Sequence, residues 1–523
     1  MTEQETRTPS KSELVRWLEE TGKTVKLPAW LEVSLLPRLI WNDGEPVEEV
    51  RLVAACLRKQ ATDEEASELT LVRDSLDREA AARFAWEIFR QWDSLGGPAA
   101  HKWAVYSLGA FGNDDTARRL GRLVRDWPGQ RKYRRAEQGL HALERIGSDA
   151  ALAEIDGVRN TSKSVPLRDL ASATLKRVAA TRHMTLDDLS DRLVPTCGLD
   201  PRGRMNLDFG ARAFTASLRP DLTLTLFDAD GKPRANLPKP AKGDDPNQAT
   251  AATELFKNAK KQLKEILAQQ TIRLERAMVD ERSWPVNVWK TTFLDHPVLR
   301  MLSPRILWTL HPADDLQLRL FRIAEDWSLA NAEDRSVEWL RDAAVKIFHP
   351  LNPCLESLDA WKTVFRDYEI VPLFDQLERE TFEVREVERL LPALERYVGH
   401  MVDGRQVLAQ LARQGWITGT PREFGSVFVH SRSYRGADVT AILYHGGVLL
   451  GYYQEAIESA IGPLAFVKGE HGRVPADGFS PKDWLPLGSI EKVAFSEAVR
   501  DVDRLARAGK GFDPDWKRKM GLG

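Results

Sequence analysis

The chain has 523 residues, of which 42% are hydrophobic and 29% charged, and its formal net charge is -2. Such a chain can bury sizeable cores, and its length predicts two to four domains. The near-neutral charge excludes a global attraction to nucleic acid or anionic membranes, so any such binding requires a local patch. The three cysteines, Cys56, Cys197 and Cys354, fit neither CxxC metal pairs nor a disulfide framework, which favours a reducing compartment.

No segment of the sequence is typical of targeting or membrane insertion. Residues 1–11 are polar, and no later stretch approaches the roughly 20 apolar residues of a membrane span. We therefore expect a cytoplasmic protein without membrane contact.

A repeat with a period of 35 residues is the most informative feature of the N-terminal part. The segment LGAFGNDD from Leu108 recurs as LERIGSDA from Leu143, and a degraded third copy runs from Leu167 to Leu186. Each copy reads as a helix, a capped turn and a second helix. Because one helix pair cannot bury its apolar face alone, the repeat predicts an all-α, HEAT-like solenoid within residues 1–190.

The hydrophobic period changes from 3.6 to 2 after Pro195. Alternating apolar residues from Met205 to Leu226 predict a β-meander, followed by a polar connector over 233–245 and a long bracing helix over about 247–280. Short strands at 306–310, 316–320 and 345–348 alternate with helices near 286–303 and 335–344. Residues 200–380 therefore read as an α+β domain.

A smaller α+β domain is predicted over residues 385–510. Two amphipathic helices between 385 and 416 precede strands at 426–430 and 439–444, and Gly446-Gly447 fits a hairpin turn into a strand at 448–453. Helix, helix and hairpin in that order resemble a winged-helix arrangement. A final helix is predicted at 489–508, and the basic, Gly-containing tail over 511–523 is expected to be loose.

Several segments resemble those of MolR-like bacterial proteins, which carry a domain of unknown function and are named after a proposed regulator of molybdate metabolism. The matching segments lie at 101–112, 125–129, 146–149, 191–195, 207–210, 237–240, 274–278, 296–297, 323–326, 349–351 and 372–379. Together they span roughly residues 90–420.

This resemblance implies a partner but no chemistry. Many such proteins carry an N-terminal WGR module, to which this sequence shows no match. Relatives are often encoded near MoxR-type AAA ATPases and proteins with von Willebrand A domains, which implies work on protein assemblies. No catalytic residues are established for the family, so none is carried over.

A basic patch occupies residues 118–135. Its eight cations are Arg118, Arg119, Arg122, Arg125, Arg131, Lys132, Arg134 and Arg135, against the single acid Asp126. Cations neutralise phosphates and the interleaved Trp127 and Tyr133 could stack on bases, which predicts nucleic-acid binding. The alternative is a solvated helix face whose cations pair with acids such as Glu137 and Glu144.

A pocket is predicted where polar residues follow strands of the α+β region. Its members are Glu325, Asp326, His349, Gln376 and Arg379. Polar groups at strand ends often converge at a cleft, Arg379 could clamp a carboxylate or phosphate, and His349 beside a carboxylate would suit a general base. The alternative is a buried polar network that ties a strand to a helix.

Other motifs of catalysis or metal binding are missing from the sequence. His296, His311 and His349 each precede proline, which predicts element ends, and no close histidine pair on one helix or turn predicts a metal site. GxSxG, HExxH, HxE…PCxxC and GxxxxGK[ST] do not occur. We expect no metal and no cofactor.

Three functions follow from these observations. The first is a non-enzymatic scaffold that binds a protein partner, such as a MoxR-type AAA ATPase or a von Willebrand A protein. The second is nucleic-acid binding through the basic patch, and the third is an enzyme that uses the predicted pocket.

Overall fold

The computed structural model describes residues 10–61, 67–162, 164–312, 318–352, 357–450 and 458–521. The chain divides into two compact units, residues 1–195 and 196–523. We call them the helical unit and the sheet unit. Cys354, Leu316 and residues 451–453 of the sequence analysis lie outside the described residues.

The described part of the helical unit consists mainly of α-helices, with a long irregular segment over residues 23–49 between the first two. Its helices are α1 Lys11–Gly22, α2 Val50–Gln60, α3 Ser67–Asp74, α4 Arg78–Ser94, α5 Trp103–Phe111, α6 Asp114–Asp126, α7 Tyr133–Ile146, α8 Asp149–Thr161, α9 Val165–Thr181 and α10 Leu186–Arg192. A 3-10 turn, Trp127–Gln130, joins α6 to α7. The predicted all-α N-terminal region is confirmed at this level.

Helices one repeat apart in sequence pack against each other. Helix α5 packs on α7, α6 on α8, and α7 on α9. Asn113 and Ser148, 35 residues apart, both cap a helix by accepting a hydrogen bond from the backbone amide three residues on. A Cβ at Gly109 would lie 3.0 Å from the Ala142 backbone, so glycine permits the close approach of α5 and α7.

In its described residues, the sheet unit combines three antiparallel sheets with helices. Its first part contains β1 Arg204–Asp208, β2 Ala213–Leu218, β3 Leu224–Phe227, β4 Pro233–Arg234, α11 Pro246–Val279, β5 Ser283–Pro285, α12 Val286–Lys290, α13 Leu299–Leu302, β6 Trp308–His311, β7 Arg319–Ile323, β8 Leu329–Ala330, β9 Ala344–Ile347 and α14 Leu358–Asp367. Its second part contains β10 Ala393–Leu394, β11 His400–Asp403, α15 Gly404–Arg413, β12 Ile417–Thr418, β13 Ser426–Tyr434, β14 Val439–Leu449, β15 Glu458–Lys468, α16 Lys492–Arg507, β16 Gly511–Phe512 and α17 Trp516–Lys519. An α+β region therefore follows the helical one, as predicted.

The predicted meander and long helix are both present. Strands β1 to β4 form a sheet in sequence order, and Leu207 pairs with Phe214. Asp245 caps α11 by accepting hydrogen bonds from the amides of Asn247 and Gln248, and Pro246 occupies the first turn.

The second sheet has the order β5-β9-β6-β7-β8. In its aromatic core, the Trp308 ring contacts the rings of Trp284 and Trp289. The helix predicted over 335–344 is wrong. These residues are extended or in turns, because the amide of Val337 donates to the carbonyl of Leu329 across the sheet edge. A cross-strand bond satisfies this amide as well as a helix would.

The third sheet has the order β12-β13-β14-β15-β11-β16, and β10 also pairs with β15. Of the two helices predicted over 385–416 only α15 is present, since 393–394 and 400–403 are strands. The predicted Gly446-Gly447 turn is also wrong, because both glycines continue β14 beyond a register shift at His445. Glycine in a strand interior commonly marks such an irregularity.

The tail that was expected to be loose is held by backbone pairing and by an aromatic contact. Phe512 pairs with His400 at the edge of the third sheet. A Cβ at Gly399 would lie within 3 Å of the Trp516 ring, so the ring packs directly on that glycine. Aromatic residues in a Gly-containing segment thus anchor it.

Candidate functional site

Helix α16 carries charged side chains into the interior of the sheet unit. Glu497, Arg500 and Asp501 are each at most 2% exposed. Buried charges are tolerated only when they are paired and hydrogen-bonded. Their partners define a group that we call the Glu497 network, which consists of Glu275, His349, Asp375, Arg379, Glu497 and Arg500. Glu275 and Asp375 lie at its partly exposed edge, where Asp375 contacts Arg500 at 2.7 Å.

Arg379 and Glu497 form the centre of this network. The Nε and Nη2 groups of Arg379 donate to the two carboxylate oxygens of Glu497 at 2.7 and 2.6 Å. Its Nη1 group donates to Glu275 and to the carbonyl of Asp375, both at 2.8 Å. This two-bond geometry is the strong form of an arginine–carboxylate pair.

His349 completes the coordination of Glu497. Its Nε2 atom lies 3.2 Å from Glu497 Oε1, and its Nδ1 atom accepts a hydrogen bond from the Leu351 amide. Because Nδ1 accepts, Nε2 carries the proton and donates to the carboxylate. Burial alone would raise the pKa of Glu497, but the hydrogen bonds from Arg379 and His349 outweigh it and hold that pKa well below its ordinary range.

Gln376 joins the loop before Arg379 to the second sheet. Its amide donates to the carbonyls of Leu307 and Phe348, each at 2.8 Å, and its Oε1 accepts from the Leu307 amide at 3.0 Å. These bonds occupy both donors and the acceptor oxygen of a side chain that is 1% exposed. Gln376 therefore holds this loop in place and has no donor left for a ligand.

Glu325 and Asp326 do not join the buried residues of the predicted pocket. Both are exposed in a turn after β7. Glu325 lies 3.5 Å from Arg322, and Asp326 accepts from the amide and hydroxyl of Ser328. A carboxylate that stabilises its own turn is not aimed at a site elsewhere. The structure thus brings His349, Gln376 and Arg379 together and leaves the two acids on the surface.

The carboxylate beside His349 is Glu497, which the sequence analysis did not single out. The sequence of α16 does indicate a buried helix, because apolar residues cover most of its circumference rather than one stripe. Those residues are Val493, Ala494, Phe495, Ala498, Val499, Val502, Leu505 and Ala506. A helix that is apolar on all sides is buried, so its charged residues require partners.

A second polar group joins the third sheet to the same helix. Asp501 accepts hydrogen bonds from Trp416 at 2.8 Å and Arg432 at 2.5 Å. On β13 and β14, His445 Nε2 lies 3.0 Å from His430 Nδ1, and His430 Nε2 lies 3.4 Å from the Thr418 hydroxyl. Because the Gly447 amide donates to His445 Nδ1, the proton of His445 is on Nε2, which donates to His430 Nδ1. His430 Nε2 in turn donates to the Thr418 hydroxyl.

Burial keeps these two histidines neutral. It lowers the pKa of His430 to about 4 and, together with the neighbouring His430, holds the pKa of His445 well below its ordinary value. Burial and the charge of Lys346 lower the pKa of His311, which lies beside the Thr309 hydroxyl, to about 4. Within the described ranges, no three His, Cys, Asp or Glu side chains lie close enough together to hold a metal ion.

The basic patch lies on α6, on the following 3-10 turn and at the start of α7. Three of its cations contact acids: Arg119 with Asp115 at 3.5 Å, Arg125 with Glu154 at 2.6 Å, and Arg135 with Asp93 at 3.0 Å. Arg118, Arg122, Lys132 and Arg134 form no ion pair with any residue that the structure describes. The acids named in the alternative interpretation are not their partners, since Glu144 contacts His141 and Arg177.

The two aromatic residues of the patch differ in exposure. Trp127 is 2% exposed and belongs to the core of the helical unit, whereas Tyr133 is 51% exposed. Helix α7 starts at Tyr133 without a side-chain cap and with no acid in its first turn. Cations therefore surround the positive end of a helix dipole, an arrangement that an anion would stabilise.

Residues 231–416 match the family described as "Domain of unknown function (DUF4132)". All five residues of the predicted pocket lie in this range, whereas Glu497 lies outside it. The chain is also 32% identical over 386 residues to the "Uncharacterized protein YehI" of Escherichia coli (strain K12), a match that covers 73% of this chain and 32% of that protein. The chain thus spans about a third of the length of the curated relative it matches. Both matches support a bacterial family of unknown function.

No solved structure matches the chain. Among the helices of the described ranges, none has the length and apolar character needed to cross a membrane.

Proposed function

We propose that this chain is a non-enzymatic interaction protein whose helical unit, a HEAT-like stack, binds a protein partner through the basic patch. The observation that carries the proposal is the group of four cations without an acid partner among the described residues: Arg118, Arg122, Lys132 and Arg134. Such cations are available to acidic groups of a binding partner, and complementary charge speeds association and suppresses wrong partners.

The chemistry of the patch indicates a partner with an acidic surface. A MoxR-type AAA ATPase or a von Willebrand A protein is the partner implied by the resemblance to MolR-like proteins, and a cytoplasmic location fits both. An enzymatic role for the predicted pocket has less support, because the buried side chains of that pocket already satisfy one another and both His349 and Glu497 are closed to solvent.

A second candidate, nucleic-acid binding at the same patch, is favoured by the exposed ring of Tyr133 beside Lys132 and Arg134. An exposed ring among cations can stack on a base while the cations neutralise phosphates. Binding of this kind weakens steeply with salt.

The test compares two charge-reversed variants of the full chain. The first replaces Arg118, Arg122, Lys132 and Arg134 with Glu. The second is the control and replaces four exposed cations of the helical unit outside the patch, Arg16, Lys26, Arg38 and Arg51, with Glu. Each is assayed against a purified MoxR-type ATPase, a purified von Willebrand A protein and fluorescein-labelled single-stranded and duplex DNA.

We expect the wild type and the control to bind one of the two proteins and the patch variant to lose that binding at least tenfold. Binding of DNA alone, lost in the patch variant and weakened by salt, would favour the second candidate instead. Equal binding by all three chains, or no binding of any probe at low salt, contradicts a role of the basic patch.

A further inference from the structure

Helix α11 of the sheet unit presents a row of lysines on its solvent side. The lysine row consists of Lys257, Lys260, Lys261 and Lys264, all exposed. Their spacing of three, four and seven residues places them on one face of the helix. The row extends over about 10 Å of helix axis, since each residue adds 1.5 Å.

One lysine of the row contacts an acid among the described residues. Lys261 forms an ion pair with Glu265, at 4.0 Å. Like charges three and four residues apart destabilise a helix slightly, so the row does not serve the stability of α11. The opposite face holds the helix in place, with Phe256, Ala259, Leu263 and Ile266 buried.

We propose that the lysine row binds the phosphate backbone of duplex nucleic acid. Lysine ammonium groups act as compact point charges that neutralise phosphates. At 3.4 Å of helix rise per nucleotide of one strand, the row covers about three consecutive phosphates. The one aromatic residue of α11, Phe256, is buried, so no ring is available on this helix to stack on unpaired bases. Backbone contact without stacking suits a duplex and is independent of its sequence.

This binding function adds to the one proposed for the helical unit and does not depend on it. The lysine row and the basic patch belong to different units of the chain. Variants at one site therefore leave the other intact.

The experiment measures binding of a fluorescein-labelled 20-base-pair duplex to the full chain by anisotropy at increasing salt. One variant replaces all four lysines of the row with Ala, and a matched variant replaces them with Arg. Alanine is the best helix former, so the first variant keeps α11 folded, which circular dichroism and the melting temperature verify. A third variant carries the four Glu substitutions in the basic patch.

We expect the Ala variant to bind at least tenfold more weakly at 50 mM salt. The slope of log K against log salt should fall by about 3, because about three phosphate contacts are lost at about 0.9 each. We expect the Arg variant to keep the wild-type affinity and salt slope. Two duplexes of unrelated sequence should bind the wild type with the same affinity. Loss of slope only in the basic-patch variant would place duplex binding on the helical unit and overturn the proposal. An Ala variant indistinguishable from the wild type, absence of duplex binding at low salt, or binding of poly-glutamate in preference to the duplex would also overturn it.

Discussion

Replacing Arg379 with alanine tests whether the Glu497 network holds the sheet unit together. The substitution removes both hydrogen bonds from the guanidinium to Glu497, a carboxylate that is 0% exposed, and leaves it with His349 as hydrogen-bond donor and with Arg500 at 3.8 Å. Breaking a buried ion pair in this way costs about 3–5 kcal/mol. Four charge-assisted hydrogen bonds at about 1.5–3 kcal/mol each would sum to more, but the variant also avoids burying the guanidinium itself.

Urea denaturation followed by tryptophan fluorescence measures this loss. With an m-value of about 3 kcal/mol/M, a loss of about 4 kcal/mol lowers the midpoint of unfolding of the sheet unit by more than 1 M. The control is Arg366→Ala, because Arg366 is exposed and contacts Asp367 at 3.3 Å on the surface, where a pair contributes at most about 1 kcal/mol. A loss below 1 kcal/mol for Arg379→Ala, or equal losses in both variants, would refute the reasoning.

The comparison of the wild type with Arg379→Ala also leads to a prediction about pH. Because the pKa of Glu497 is lowered in the folded protein, its stabilisation is complete above the unfolded value of about 4.3 and is lost as the pH falls below it. Arg379→Ala lacks most of this contribution. The stability difference between wild type and variant should therefore shrink between pH 5 and pH 3, as measured by the urea midpoint at each pH.

Three further outcomes are expected. Because burial lowers the pKa of His430 to about 4, the unfolded chain binds a proton below about pH 6.5 that the folded chain excludes. The free energy of unfolding should therefore fall by up to about 3 kcal/mol as the pH falls from 6.5 to 4. In urea titrations, His430→Leu should reduce this dependence on pH. Gly109→Val should destabilise the helical unit by about 1–3 kcal/mol because its side chain meets the Ala142 backbone, whereas Gly129→Ala, with open space around it, should stay within about 0.5 kcal/mol in thermal melts. Trp516→Ala should speed amide hydrogen exchange at Asp513, whose amide donates to the carbonyl of Gly399, since the ring packs on that glycine.

The helical unit was largely predictable because its signals are local. A 35-residue period, helix caps such as Asn113 and Ser148, and the 3.6-residue apolar period all act within a few turns of chain. The meander and α11 were predictable for the same reason. Residues 393–403 were not, because their backbone bonds go to β15, which is distant in sequence. Residues 335–344 were not, because Val337 donates across a strand pair to Leu329 instead of within a helix, and periodicity does not identify such partners.

The candidate site was predictable only in part, for a related reason. His349, Gln376 and Arg379 stand out as polar groups near apolar strands, but their common partner Glu497 lies 118 residues beyond Arg379. The exposed acids Glu325 and Asp326 look the same in sequence as buried ones. Their short-range bonds to Arg322 and Ser328 are what keep them on the surface.

The Glu497 network also defines the smallest part of the sheet unit that can be stable. The family match ends at residue 416, so a fragment of residues 231–416 contains His349 and Arg379 but lacks the carboxylate that both contact. Without it, a guanidinium that is 6% exposed in the whole chain keeps only Glu275 as a charged partner. An unpaired buried charge on this scale removes a large share of the stability of an ordinary domain. We expect fragment 196–523 to unfold cooperatively in urea and fragment 231–416 to show no cooperative transition; a sharp transition for the shorter fragment would show that its fold does not require α16.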